Sequence, residues 1–147
     1  MVSLLDVSVL VALFHEGHVH HQVAHDWFAD HGAAGWASCP VTENGLLRIL
    51  GNPKRVDHHI ALPRLVALLT TFCGQSKHEH WWDDISLQDS RLFNVAAMRG
   101  HQQITDVYLL GLAVKRRGRF VTFDTGVPLQ AVKGARRESL EVLASAE

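Results

Sequence analysis

The chain is poor in cysteine and in long apolar stretches, and each shortage excludes something. Its two cysteines, Cys39 and Cys73, form no metal or redox motif, which suggests a reduced, intracellular setting. No apolar run approaches the roughly 18–20 residues of a membrane span. The N-terminus lacks the basic start and small-residue cleavage site of a secretory signal, so the cytoplasm is the expected compartment. Repeats, low-complexity tracts and linkers are missing as well, and one domain over residues 1–147 is expected. A strong excess of either charge is also absent. The net charge is −1 with neutral histidines, so the molecule as a whole is not a general nucleic-acid binder.

The distribution of charge is less even than its sum. Half of the 14 Lys and Arg residues lie in one stretch: Lys115, Arg116, Arg117, Arg119, Lys133, Arg136 and Arg137. Between Val107 and Arg137 the lone acid is Asp124. Such a segment would steer a polyanion toward that acid. It would serve equally as a solvated basic helix end, and charge alone does not separate the two.

Periodicity gives an alternating pattern. Val2–Leu5 reads as a buried strand, followed by a short helix from Val7 to Phe14 whose Val7, Leu10, Val11 and Phe14 share a face. A helix over His20–Asp30, a strand over Gly35–Cys39 and a helix opened by Pro40 and stopped at Gly51-Asn52-Pro53 come next. Leu62–Phe72 reads as an amphipathic helix, Trp81–Ser86 as a segment containing a short strand, and Gln88–Arg99 as a helix ended by Gly100. Thr105 is the expected N-cap of a helix ending at Gly118. Phe120–Phe123 is the next strand, and Ser139–Leu143 a possible edge strand. Strands alternating with helices imply an α/β class with a parallel sheet covered on both faces.

Four carboxylates punctuate this pattern. Asp6 follows the first strand, Glu43 follows the second, Asp106 opens a helix and Asp124 ends the Phe120–Phe123 strand. Two have an ordinary explanation: Asp6 as an N-cap, Asp106 as a favourable first-turn charge of ~0.3–1 kcal/mol. In a parallel sheet, however, the carboxyl ends of the strands lie together. Clustered carboxylates repel and are tolerated best around a divalent cation, which points to Mg²⁺ or Mn²⁺. Alternation puts Thr122 and Asp124 on one side of their strand. A dehalogenase-type phosphatase would need a second Asp where Ser8 stands. A receiver domain would need a late strand-end Lys where Asp124 stands.

Taken in order, Leu5-Asp6-Val7-Ser8-Val9-Leu10, Thr42-Glu43-Asn44, Thr105-Asp106 with Leu109 and Ala113, and Thr122-Phe123-Asp124 resemble the PIN-domain nuclease pattern. More narrowly, Ala12-Leu13-Phe14, Trp36-Ala37-Ser38-Cys39-Pro40, Asn44-Gly45-Leu46-Leu47-Arg48 and Gly118-Arg119-Phe120-Val121-Thr122 resemble VapC-type toxins of toxin–antitoxin pairs. The resemblance runs from about Val2 to Val127 and departs at Ser8, where many members carry Asn. It implies a PIN-like three-layer α/β/α sandwich with a mainly parallel sheet. It also implies an endoribonuclease whose Asp6, Glu43, Asp106 and Asp124 hold Mg²⁺ or Mn²⁺, a cognate antitoxin and a homodimer. Ser8 and Thr122 are expected to orient the carboxylates, and Arg48, Arg116 and Arg117 to contact RNA phosphates. The rival readings are a PIN-like processing or repair nuclease without an antitoxin, and a non-catalytic RNA- or protein-binding module.

Other features carry weaker signals. His21 and His25 stand at helical i, i+4 spacing, but no cysteine or His-Glu-x-x-His order joins them, so polar helix-face histidines are expected rather than zinc ligands. His58-His59 and His78-Glu79-His80 read as loops without a clear role. Trp81-Trp82 reads first as core or partner contact, with base stacking as the alternative. Cys73 has no partner base in sight and reads as an inert thiol.

Overall fold

Residues 1–54 and 60–144 are described by the computed structural model, and His58 and His59 lie outside them. The opening run pairs as β1 (Ser3–Leu5) at the centre of a sheet with β2 (Trp36–Ser38), β3 (His78–His80), β4 (Arg119–Thr122) and β5 (Leu140–Val142). The strand order is β3-β2-β1-β4-β5, and each of its ladders is parallel. Helices α1 (Val7–Phe14), α2 (His21–His31), α3 (Pro40–Leu50), α4 (Leu62–Gly74) and α5 (Ile104–Lys115) complete a three-layer α/β/α sandwich. The chain moves outward from β1 in both directions, so the gap between β1 and β4 is the topological switch point, where α/β sheets bind ligands. Among the described residues no helix is long and apolar enough to cross a membrane.

Strand alternation divides the core cleanly. Leu4, Ala37 and Phe120 face the α5 side, with Leu109, Leu110, Leu112 and Ala113. Their neighbours Leu5, Trp36 and Val121 face the opposite side, with Val9, Leu10, Ala24, Leu46 and Leu65 of the other helices. A fully buried leucine is worth about 1.5–3 kcal/mol, so the three buried leucines of α5 clamp that helix to the sheet. Both thiols are inert by environment: burial pushes Cys39 and Cys73 up to about 11.

Three expectations need correction. The strand expected within Trp81–Ser86 lies earlier, at His78–His80, in the stretch expected as a loop, because Trp36 and Ser38 pair with His78 and His80. Trp81 closes that ladder by donating its N–H to Ser38 O at 2.8 Å, and its ring then enters the core, whereas Trp82 stays exposed. A polar strand is tolerated there because β3 is a sheet edge.

The helix expected over Gln88–Arg99 is a run of turns with one 3-10 turn at Val95–Ala97. Asp89 Oδ1 accepts the N–H of Arg91, a local bond that competes with helix. Asn94 N and Lys133 N bond to Ala131 O and Leu92 O, pinning Phe93 beside Val132 in an antiparallel bridge. Finally, α5 starts at Ile104 with Gln103 at the cap position, so Thr105 sits in the first turn rather than capping it.

Two helices meet where the site begins. A Cβ on Gly45 of α3 would fall 2.5 Å from Val7 Cγ2 of α1, and a β-branched side chain in a helix has little rotamer freedom to yield. Gly45→Ala should therefore lose stability by about 1–2 kcal/mol, overpacking outweighing the gain in helix propensity. Gly74→Ala, where nothing lies within 4 Å of the new methyl, should be neutral or stabilising. Urea denaturation of both variants measures the contrast.

Candidate active site

Leu5 pairs with Val121, so the residues that follow, Asp6 and Thr122, stand side by side at the carboxyl ends of β1 and β4. Asp6 caps α1, its Oδ1 accepting Val7 N–H at 2.7 Å. Its Oδ2 accepts hydroxyls from Thr122 at 2.6 Å and Ser8 at 3.2 Å. Thr122 is fully buried and works twice, since its Oγ1 also accepts the N–H of Asp124 at 3.0 Å. Asp124 Oδ1 in turn accepts Gly126 N–H at 2.7 Å. From the α5 side, the first-turn residue Asp106 comes near enough to Asp124 and Asp6 for both to act on its carboxyl.

Crowding of this kind favours a proton on one of the acids. Burial, the Asp124 side chain and the charges of Asp6 and Asp124 push Asp106 up to about 7. The Gly126 N–H, followed by the Asp106 side chain, holds Asp124 below the usual carboxylate range. Burial also raises Asp6, partly opposed by its Thr122, Val7 and Ser8 donors. Two carboxylates in contact cannot both ionise at low cost.

The fourth acid is elsewhere. Ser38 shares its face of β2 with Trp36, on the side away from α5, and its hydroxyl donates to Glu43 Oε2 at 2.5 Å. A hydroxyl has one proton, so the 2.7 Å contact with His78 Nε2 has the imidazole as donor. His80 Nδ1 lies 3.1 Å from the same Glu43 oxygen. His78 lies against Trp36, ring centroids 4.4 Å apart, and burial lowers its pKa. The structure thus gathers Asp6, Asp106 and Asp124, and ties Glu43 to Ser38 and His80. His78 and His80, expected in a loop without a clear role, instead lie on β3 and join the Ser38 and Glu43 hydrogen bonds. Their period-two spacing beside an acid, running into Trp81, was the available signal.

The arginines are more scattered. Arg48 is exposed on the last turn of α3. Arg116 and Arg117 follow the end of α5, about 15 Å along the helix axis from Asp106 at 1.5 Å per residue. Arg116 bonds Asp84 at 3.2 Å. His21 uses Nδ1 on Ala12 O at 2.7 Å.

Among the described residues, no three His, Cys, Asp or Glu side chains converge closely enough to hold an ion as they stand. The donor chemistry nevertheless fits a hard divalent cation. The Asp6, Asp106 and Asp124 carboxylates repel one another, and the raised pKa of Asp106 reflects a crowding of negative charge that a cation would relieve.

No protein-family model matches the sequence. Individual proteins do. Ribonuclease VapC44 of Mycobacterium tuberculosis is 40% identical over 143 residues, covering 97% of this chain and 100% of the relative. Ribonuclease VapC38 of the same species is 40% identical over 126 residues (86% and 87%), and ribonuclease VapC39 is 36% identical over 134 residues (91% and 96%). The chain belongs to the VapC family of ribonucleases. Its VapC-type sequence pattern therefore coincides with a PIN-like sheet whose switch point carries acids.

The proton on Asp106 gives a pH signature that this VapC-family chain should show with divalent cations chelated. A carboxyl whose folded-state pKa is raised from 3.8 to about 7 favours the folded state at low pH. That contribution is lost as pH rises through 7. His18 and His78, lowered by burial, act with the opposite sign but are common to wild type and variant. The melting temperature of Asp106→Asn minus that of wild type should therefore grow from pH 5 to pH 7.5. A flat difference would mean that Asp106 keeps no such proton.

Proposed function

We propose that this chain is a metal-dependent endoribonuclease acting as the toxin of a toxin–antitoxin pair. The observation that carries the reading is Thr122, which joins Asp6 and Asp124 at the switch point while α5 brings Asp106 against them. Family membership supports the ribonuclease activity and the toxin role. Asp6, Asp106 and Asp124 would hold Mg²⁺ or Mn²⁺, and Glu43 would join them only after leaving Ser38 and His80. When bound, such a cation supplies polarisation of the scissile phosphate and an acidified water.

The chain's own residues set the rest. Thr122 holds the Asp6 carboxylate and the Asp124 backbone N–H with one hydroxyl, and Ser8 braces Asp6 from α1. Asp106 holds its proton against Asp124 near neutral pH and must release it for both to serve as ligands. Arg48, Arg116 and Arg117 are phosphate contacts in this reading, the latter pair reached by a substrate lying along α5. A cognate antitoxin and a second copy of the chain are the proposed protein partners. Leu62, Val66 and Leu68, exposed on α4, offer apolar surface for them.

Purified protein should cut bacterial RNA into discrete fragments with Mg²⁺ or Mn²⁺ and not with EDTA. Asp106→Asn and Asp6→Asn should fall to background while remaining folded by circular dichroism. Retained cleavage in either variant would remove these residues from the centre. Thr122→Val keeps the shape but loses the bridging hydroxyl, and should lower kcat/KM by roughly 10–100-fold, the usual effect of losing a group that orients ligands.

A further inference from the structure

Trp82 stands apart from the other tryptophans. It is 67% exposed, whereas Trp27, Trp36 and Trp81 are 6%, 0% and 5% exposed. Its ring meets the His80 ring at a centroid distance of 4.6 Å and an interplanar angle of 76°. His80 in turn holds Glu43 Oε2 at 3.1 Å. A large indole in water is thus fixed one imidazole away from an acid of the site. We propose that Trp82, backed by His80, is a stacking platform for an unpaired nucleobase of the RNA. This deepens the ribonuclease reading and rests on it.

Three observations favour a base over an apolar protein surface. First, the indole is not part of an apolar patch in its own segment: Asp83 and Asp84 follow it, both exposed, and His80 adjoins its ring. A planar ligand with an apolar face and polar edges suits that setting, and every base has such a face.

Second, the segment is anchored. Asp84 accepts Lys115 Nζ at 3.2 Å and Arg116 at 3.2 Å, and Asp83 Oδ2 accepts Val41 N–H at 3.2 Å. The platform is therefore in place before a base arrives, which reduces the ordering cost of binding.

Third, the charge beside it suits a phosphate chain. Lys115 and Arg116 both pair with Asp84, and Arg117, next in the chain, is exposed. A strand whose base stacks on Trp82 has Arg116, 3.5 Å from the Trp82 carbonyl oxygen, and the Glu43 carboxylate, beyond His80, in its neighbourhood.

Because the other three tryptophans are buried, fluorescence quenching by a bound base reports on Trp82. The test uses full-length Asp106→Asn, with and without Trp82→Ala, titrated with a mixed-sequence pool of unstructured oligoribonucleotides. Fluorescence and anisotropy are followed together. Trp82→Phe, which keeps an aromatic face, is the third protein.

The expected result is saturable quenching that Trp82→Ala abolishes. The same variant should weaken binding roughly 5- to 150-fold, the range for one stacked base, and Trp82→Phe should restore most of it. In the cleavage-competent protein, Trp82→Ala should raise KM and leave kcat nearly unchanged, as for binding shared by ground and transition states. RNA binding without quenching, and unaffected by Trp82→Ala, would overturn the platform and leave the ribonuclease standing. Quenching by an antitoxin-type protein but not by RNA would reassign Trp82 to a protein interface. No binding by any of the proteins, together with no RNA cleavage by wild type, would remove both readings.

Discussion

Mutual repulsion among Asp6, Asp106 and Asp124 is the constraint around which the rest of this structure is arranged. The split in strand order at β1 and β4 delivers two acids to neighbouring strand ends. Helix α5 delivers the third from above. Burying an unpaired carboxylate is costly, and crowding like charges adds to that cost. Local donors answer most of it: Val7 N–H, Ser8, Thr122 and Gly126 N–H, with a proton on Asp106 answering the remainder. The apolar face of α5 does the other half of the work. Leu109, Leu110 and Leu112 are fully buried against the sheet. At about 1.5–3 kcal/mol each they outweigh the few kcal/mol that crowded acids cost.

The same alternation that sorts the core also sorts the polar residues. Thr122 shares a face with Phe120, on the α5 side, while Ser38 shares a face with Trp36, on the opposite side. Glu43 lies in the first turn of α3, just after β2. Its hydrogen bonds to Ser38 and His80 hold it on the Trp36 side. The site is therefore built as two halves joined across a strand end. One half is a carboxylate trio bridged by a threonine. The other is a chain of hydrogen bonds from His78 through Ser38 to Glu43.

The parts of this arrangement that were legible in the sequence are those with strong local signals. Leu5-Asp6 and Thr122-Phe123-Asp124 are strand ends followed by acids, and parallel topology does the rest. Helices α1 to α4 match the apolar periodicity nearly to the residue. The misplaced elements failed where long-range contacts decide. Strand β3 is a polar edge strand of three residues, and its pairing with Trp36–Ser38 leaves no apolar alternation to see. The segment from Gln88 to Arg99 has helical spacing, but Phe93 is required beneath Gly111, where a Cβ would come 2.4 Å from its ring. The bonds from Asn94 N–H to Ala131 O and from Lys133 N–H to Leu92 O hold it there. The capture of Glu43 by His80, 37 residues away, has no local trace.

Helix α5 settles how its charges should be read. An acid in the first turn and cations after the last turn both suit the helix dipole, each typically by 0.3–1 kcal/mol. The dipole by itself would lower the pKa of Asp106. The carboxyl is instead pushed up to about 7, so burial and neighbouring carboxylates outweigh the dipole at that end. No comparable excess exists at the other end. Asp84 pairs with Lys115 and Arg116 there, and the dipole already accounts for cations in that position. The basic cluster alone is thus weak support for an RNA surface. What distinguishes that flank is Trp82, an exposed aromatic that neither the dipole nor the core requires.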